Sequence, residues 1–436
     1  MTASSAPADL CAPLEESTVS SPRERRALPR PYDAILLASF GGPESEEDVL
    51  PFLRNVTRGR GIPDERLEEV GAHYRALGGR SPINDQNRAL IRALRAELDA
   101  RGIDLPIHWG NRNWQPTMAE AVRGLHADGH REVLAIATSA YSSYSSCRQY
   151  REDFGRALVE TGLLGTVRID KVRPYFSHPG FLAPMADGIL DALAQLQEAG
   201  HDGARVRILF STHSIPTAMA DASGPAEERT DGPANWYVRQ HEAACRYLMD
   251  AVAQRRATEG AATGLPGWEL VYQSRSGAPH TPWLEPDIND VIARIAEEGT
   301  HDAVVVVPVG FVSDHVEVIW DLDTEARESA EQHSLAFRRV ATPGTDPRFV
   351  AALADLVEER IRPDAPRRAV TEFGPTADVC GTACCVSGSP RARVVPTTSA
   401  LDSGEDLRAA RAQAAGDGGG STRPAGAGTT GEAGGR

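Results

Sequence analysis

Six short apolar runs, each followed by a stretch with helical period, constrain this chain more than any other feature. They lie at residues 32–39, 107–111, 133–138, 206–211, 270–273 and 304–309. An unbroken apolar run of that length is a strand buried on both faces, as in parallel sheets. Between the runs, Leu90, Ile91, Leu94 and Leu98 recur at helical spacing before Gly102, as do Ile288, Val291, Ile292 and Ile295 before Gly299. A glycine just past the last apolar position is a helix C-terminal cap. Repeated strand–helix–strand units require right-handed crossovers, and the stretch from residue 32 to about 362 exceeds what one such sheet needs. The pattern predicts two doubly wound, Rossmann-like α/β domains with parallel sheets and a cleft between them.

Aromatic residues delimit the folded part, since none precedes Tyr32 and none follows Phe373. The expected organisation is an N-terminal domain over 32–140 completed by a C-terminal helix near 346–362, a second domain over 141–340, and a cysteine-rich extension over 363–390. Residues 1–31 and 391–436 read as disordered tails; 416–436 alone holds nine glycines, too little apolar surface to offset ordering entropy. A net charge of −15 argues against nucleic acid as a partner. The longest apolar run, near 303–309, is far short of the roughly 20 residues of a transmembrane helix, and the first 30 residues hold no signal-peptide core. The chain therefore reads as cytoplasmic.

In open α/β sheets reactive groups gather beyond the carboxyl ends of strands. Four such ends stand out. Phe40-Gly-Gly-Pro43 lets backbone approach a ligand closely or simply makes a tight turn, and lacks the spacing of a phosphate loop. Ser211-Thr-His-Ser-Ile-Pro216 puts His213 at a strand end, where a neutral imidazole can take a proton or bind a borderline metal ion. After the run at 304–309, a helix expected to start near Ser313 carries Glu317, Asp321 and Glu325 four residues apart, three carboxylates on one face. The apolar neighbours Val316, Val318, Ile319 and Trp320 predict that Glu317 is drawn inward, with its pKa raised. The fourth end, Ala140 to Arg151, is rich in hydroxyl and aromatic groups and contains Cys147. With Cys380, Cys384 and Cys385 it makes four thiols, the number held by a [2Fe–2S] cluster. Zinc or inert thiols remain alternatives at this point.

The segments Ser211 to Pro216 and Pro308-Val-Gly-Phe-Val-Ser-Asp-His-Val-Glu-Val-Ile-Trp-Asp-Leu-Asp323 resemble the two signature segments of the ferrochelatases. Phe40-Gly-Gly-Pro43, Tyr74-Arg-Ala-Leu-Gly-Gly-Arg-Ser-Pro82, Tyr272-Gln-Ser-Arg275 and Thr281-Pro-Trp-Leu-Glu-Pro-Asp287 extend the likeness in family order. Gly110-Asn-Arg-Asn-Trp114 and the cysteine-rich end resemble the actinobacterial branch, whose members are generally coproporphyrin ferrochelatases. The resemblance implies a chelatase-like fold with a porphyrin cleft, and insertion of Fe2+, as substrate, into coproporphyrin III in haem synthesis. It implies His213 and Glu317 as catalytic and iron-binding groups facing each other across the porphyrin, and Asp321 and Glu325 as an acidic path on a helix with π distortion. Ser81, Tyr150 and Arg58 match porphyrin-contacting positions, and Phe40 stands where some relatives have a tyrosine that reaches iron. Cys147, Cys380, Cys384 and Cys385 resemble a [2Fe–2S] ligand set, although the adjacent pair departs from the wider animal spacing. A downstream haem-synthesis enzyme is the expected protein partner. Competing readings are a protoporphyrin IX ferrochelatase, a cobalt chelatase and a non-catalytic porphyrin or haem carrier.

Overall fold

The computed structural model describes residues 25–59, 61–229, 232–258, 265–276, 280–381, 383–388, 395, 397 and 398. The predicted tails fall mostly outside them. Strands β1 (Ala34–Ser39), β2 (Ile107–Asn111), β3 (Glu132–Ala137) and β4 (Arg168–Lys171) form one sheet in the order β2-β1-β3-β4. Strands β5 (Val206–His213), β6 (Gly267–Gln273), β7 (Ala303–Val307) and β8 (Ala336–Arg339) form a second in the equivalent order β6-β5-β7-β8. Every pairing is parallel, so the architecture is the expected doubly wound α/β. The apolar pattern does not single out β4 and β8. Both are four-residue edge strands bearing charge, Arg-Ile-Asp-Lys and Ala-Phe-Arg-Arg, a composition that protects a sheet edge from further pairing.

Alternation within the apolar runs assigns successive side chains to different cores. Ile35, Leu37, Leu134 and Ile136 of the first sheet join Ile208, Phe210, Val305 and Val307 of the second in one shared cluster. Four long helices fill it: Ile83–Ala100, Pro179–Glu198, Trp236–Thr258 and Pro347–Ile361. Their intervening neighbours face outward cores, Leu36, Ala38 and Ala135 toward Val122 and Phe154, and Leu209, Val304 and Val306 toward Ile292 and Leu322.

The helix Pro347–Ile361 is tied to the first sheet by buried ion pairs. Arg173 meets Glu359 through two hydrogen bonds of 2.8 and 2.9 Å, and Arg360 donates to the Tyr32 hydroxyl and the Lys171 carbonyl. Residues 25–31, expected in the tail, are ordered instead. Asp378 donates its backbone N–H to Arg25 and its carboxylate accepts from Ala27 N–H, while Arg30 N–H donates to Arg360, so partners remote in sequence hold the segment. Among the described residues no helix is long and apolar enough to cross a membrane.

Phe181 is the hub of the shared core, its ring 5.8 to 6.2 Å from those of Tyr141, Tyr175 and Phe349. Phe181→Ala is expected to cost about 3–5 kcal/mol, read as a lower denaturant midpoint. Val159→Ala, at a side chain 45% exposed, should change stability by less than about 0.5 kcal/mol.

Candidate functional site

The strand order places the point where crossovers diverge between β1 and β3 in one sheet and between β5 and β7 in the other, where ligands bind in such folds. His213 is the last residue of β5, and the loop after β7 crosses the same end. That crossing requires Gly310. Its N–H donates to the Ser211 carbonyl at 3.2 Å, and a Cβ there would lie 2.1 Å from Thr212 Oγ1. A second close approach is at Gly42, where a Cβ would lie 2.7 Å from the Ser81 Cβ.

His213 Nδ1 contacts the Ser214 carbonyl, which can only accept, so in the neutral ring Nδ1 carries the proton and Nε2 the lone pair. The His213 carbonyl accepts from the Tyr237 hydroxyl at 2.9 Å, which anchors the strand end. Nε2 points toward Glu317 Oε2 at 4.0 Å, the two side chains 34% and 44% exposed. A base or ligand nitrogen thus faces a carboxylate across a gap that fits one atom but not the thickness of a porphyrin, so the pair does not span the macrocycle as the resemblance implies.

The helix that carries Glu317 starts at Val316 with His315 as its cap, three residues later than the expected start near Ser313. Asp314 accounts for the delay, because its N–H donates to Gln86 Oε1 at 2.8 Å and its carboxylate is held by Arg339 and by Thr342 at 3.3 Å, keeping the loop open. The chain then widens into a π-helix over Ile319–Ala326. Glu317 is not drawn inward as its apolar neighbours predict; it is nearly half exposed, and the more deeply shielded carboxylate is Asp321. Burial pushes the Asp321 carboxyl up to about 7; hydrogen bonds from Ser274 and Gln273 oppose the shift, while the charges of Glu317 and Glu325 add to it. Glu325 lies exposed, accepting from Trp320 Nε1 at 2.7 Å.

Two further groups at this site escape the sequence reading. Burial lowers the His315 pKa, with His213 and Glu317 close enough to act on it in opposite senses. Burial raises the Tyr74 phenol well above its ordinary value, reinforced by the charges of Glu317 and Asp321. His315 stands inside the Ser-Asp-His-Val-Glu segment and had a visible signal, whereas Tyr74 had none beyond its motif.

Of the other predicted residues, Phe40 packs edge-on against Phe52 at 6.3 Å in an apolar cluster that includes Val316, next to Glu317. Ser81 is buried beneath Gly42. Arg58 is exposed after the helix Glu46–Val56 and pairs with no described carboxylate. Tyr150 is not brought to the His213–Glu317 pair. It is 3% exposed in the outward core of the first sheet, under the Arg112 guanidinium at 4.1 Å.

The four cysteines do converge. Cys147, on a π-helical turn over Tyr144–Arg148, lines one pocket with Cys380, Cys384 and Cys385. The Cys384 and Cys385 sulfurs are 3.8 Å apart, and thiols of Cys380 and Cys385 bonded to Cys147 hold its pKa well below the usual value. Cys385 adopts a left-handed backbone (φ +53°), fixed by its N–H on the Gly224 carbonyl and by Gly224 N–H donating to its sulfur at 3.2 Å. Among the described residues no three His, Cys, Asp or Glu side chains are spaced as a ready-made metal site. The donor set nevertheless fits a thiolate-held group: four sulfurs in one pocket, an N–H···S bond, and the buried guanidinium of Arg151 beside them.

The ferrochelatase family profile matches residues 32–361, from the start of the first sheet to the end of the last helix. The chain belongs to the ferrochelatase family. It is 57% identical over 362 residues to the coproporphyrin III ferrochelatase of Leifsonia xyli subsp. xyli, covering 82% of this chain and 92% of that protein. It is 52% identical to the coproporphyrin III ferrochelatase of Streptomyces griseus subsp. griseus, over 86% of this chain and 98% of that one. A ferrochelatase of Rhodopirellula baltica is 46% identical over 82% of this chain and 94% of its own length. As a ferrochelatase, the chain is a metal chelatase, an enzyme that inserts iron into a porphyrin. The family match includes Cys147 and stops before Cys380.

Asp321 binds its proton more tightly folded than unfolded. Its contribution to stability is therefore full below the unfolded carboxyl pKa, about 4, and is lost as pH rises through about 7. Asp321→Asn removes that loss. The melting-temperature difference between variant and parent should shift in the variant's favour between pH 4 and pH 8, and a pH-independent difference would refute the assignment.

Proposed function

We propose that the chain inserts ferrous iron into coproporphyrin III, releasing two protons and forming iron coproporphyrin. The carrying observation is the His213–Glu317 pair, an oriented imidazole lone pair 4.0 Å from a carboxylate at the strand ends where crossovers diverge. The names of the most similar relatives supply the substrate. Metalation has three needs: to strip water from a divalent cation, to remove two pyrrole protons, and to hold a macrocycle against ligand and base. A nitrogen–oxygen pair suits a borderline cation, and a gap of about 4 Å matches two metal–ligand distances of about 2.0–2.2 Å. His213 and Glu317 divide delivery of iron and acceptance of protons between them. Asp321 and Glu325 continue from Glu317 toward solvent, and a carboxyl titrating near 7 can both take and release a proton at neutral pH.

Arg58 and Ser81 are the groups of this chain assigned to the porphyrin's carboxylates, the first by charge and the second by hydrogen bonding. Phe40 offers an apolar face rather than a phenolate. Tyr150, held under Arg112 in the outward core, is left without a porphyrin-contacting role in this reading. Cys147, Cys380, Cys384 and Cys385 are the residues that would hold a [2Fe–2S] cluster. Such a cluster supplies a cross-link or a redox-responsive site, because metal insertion transfers no electron. The reading makes the chain a cytoplasmic enzyme that passes its product to a downstream enzyme of haem synthesis.

Anaerobic assays with Fe2+ should show faster metalation of coproporphyrin III than of protoporphyrin IX, and Fe2+ inserted in preference to Co2+. The reverse porphyrin preference would move the enzyme to the other substrate. His213→Ala and Glu317→Gln should each lower kcat by at least about a hundredfold at saturating porphyrin. Tight porphyrin binding with unchanged insertion in His213→Ala would overturn the mechanism.

A further inference from the structure

Behind the cysteine pocket, one helical turn after Cys147, lies a side chain that iron insertion does not use. Arg151 lies on the helix Gln149–Glu160, just beyond the π-turn that carries Cys147, and is 0% exposed. Its Nε, Nη1 and Nη2 have no hydrogen-bond partner among the described residues. Other deeply buried arginines of this chain are paired: Arg173 with Glu359, Arg112 with Asp153, and Arg360 with Tyr32 and the Lys171 carbonyl. A buried guanidinium without an anion is strongly disfavoured, since it loses hydration and gains nothing for five N–H donors.

Cys147 precedes Arg151 by one helical turn, and the thiols whose charge acts on the guanidinium are those of Cys380, Cys147, Cys384 and Cys385. Neutral thiols do not offset a full positive charge, whereas thiolates ligating a metal group do. Two ferric ions and two sulfides sum to +2, and four thiolates bring the oxidised assembly to −2. One added electron takes it to −3, so a fixed cation alongside favours the reduced form. Lys171 also acts on Cys147 but commits its ammonium to the Val172 carbonyl at 2.8 Å.

We propose that Arg151 is the built-in counter-charge of the thiolate cluster, required for a stable filled pocket and setting its reduction potential. The inference rests on the [2Fe–2S] reading above, and its test separates the two. Full-length parent protein, purified anaerobically, is first analysed for iron, acid-labile sulfide and zinc. Zinc or no metal in the pocket would overturn the cluster reading and this proposal with it.

With cluster present, Arg151→Met and Arg151→Lys are titrated with dithionite and followed by the paramagnetic resonance of the reduced cluster. At the parent's midpoint, the reduced-to-oxidised ratio should fall about tenfold in Arg151→Met, about 59 mV for one electron. In Arg151→Lys, which keeps the charge, it should stay within about threefold. An unchanged midpoint in Arg151→Met would overturn the counter-charge while leaving the cluster standing.

Melting temperatures provide a second readout. In the cluster-free background Cys380→Ser/Cys384→Ser/Cys385→Ser, Arg151→Met should raise the melting temperature, because it removes an unpaired buried charge. In the cluster-containing protein it should lower it. A change of the same sign in both backgrounds, or failure of Arg151→Met to fold in the cluster-free one, would assign Arg151 a purely structural role.

Discussion

Burial of parallel strands on both faces is the constraint on which the rest of this structure depends. A parallel pair cannot be closed by a tight turn, so each strand is followed by a crossover helix that must cover one face of the sheet. Equivalent strand orders in the two sheets create two divergence points. Inward-facing residues of both sheets then share one core, which holds the sheets together. His213 and Glu317 owe their meeting to this arrangement and to Gly310, the residue small enough for the loop after β7 to pass Thr212.

Electrostatics at the site divides between exposure and burial. Glu317 stays open to the cleft beside His213, available to a cation or a proton arriving from solution. Asp321, within the π-helical stretch, is shielded and gains hydrogen bonds from Ser274 and Gln273 that only partly offset its lost hydration. Carboxylates four residues apart on the same helix therefore sit in different surroundings, because the π-helix directs one toward the cleft and the other toward Gln273 and Ser274. Burying a carboxyl that titrates near 7 costs stability above that pH, a cost that packing elsewhere must offset.

The cysteine pocket is physically continuous with His213. Gly224 donates to Cys385, the adjacent Ser223 hydroxyl accepts from Tyr237 N–H at 2.8 Å, and the Tyr237 hydroxyl donates to the His213 carbonyl. The pocket thus buttresses the start of the helix Trp236–Thr258, which in turn anchors the strand end that presents the imidazole. The cysteine-rich segment after the last helix also reaches back to the loop that follows β4, through Val370 N–H on the Ser177 carbonyl and the Thr376 hydroxyl on the Pro174 carbonyl.

The sequence by itself determined the parallel α/β class, six of the eight described strands and the glycine caps at Gly102 and Gly299, and through its resemblance to the ferrochelatases it paired His213 with Glu317. Apolar periodicity and strand-end chemistry are local, and a single chain displays them in order. Tertiary structure decided what depends on partners remote in sequence. It made Asp321 rather than Glu317 the shielded carboxylate, because Gln273 and Ser274 arrive from β6 and the loop after it. It delayed the acidic helix to Val316, because Gln86 and Arg339 hold Asp314. It ordered residues 25–31 against Asp378 and Arg360, placed Tyr150 under Arg112 rather than in the cleft, and buried Arg151 without a hydrogen-bond partner among the described residues behind the cysteine pocket. Each of these outcomes is set by desolvation and pairing between distant segments, and neither is encoded in any one stretch of residues.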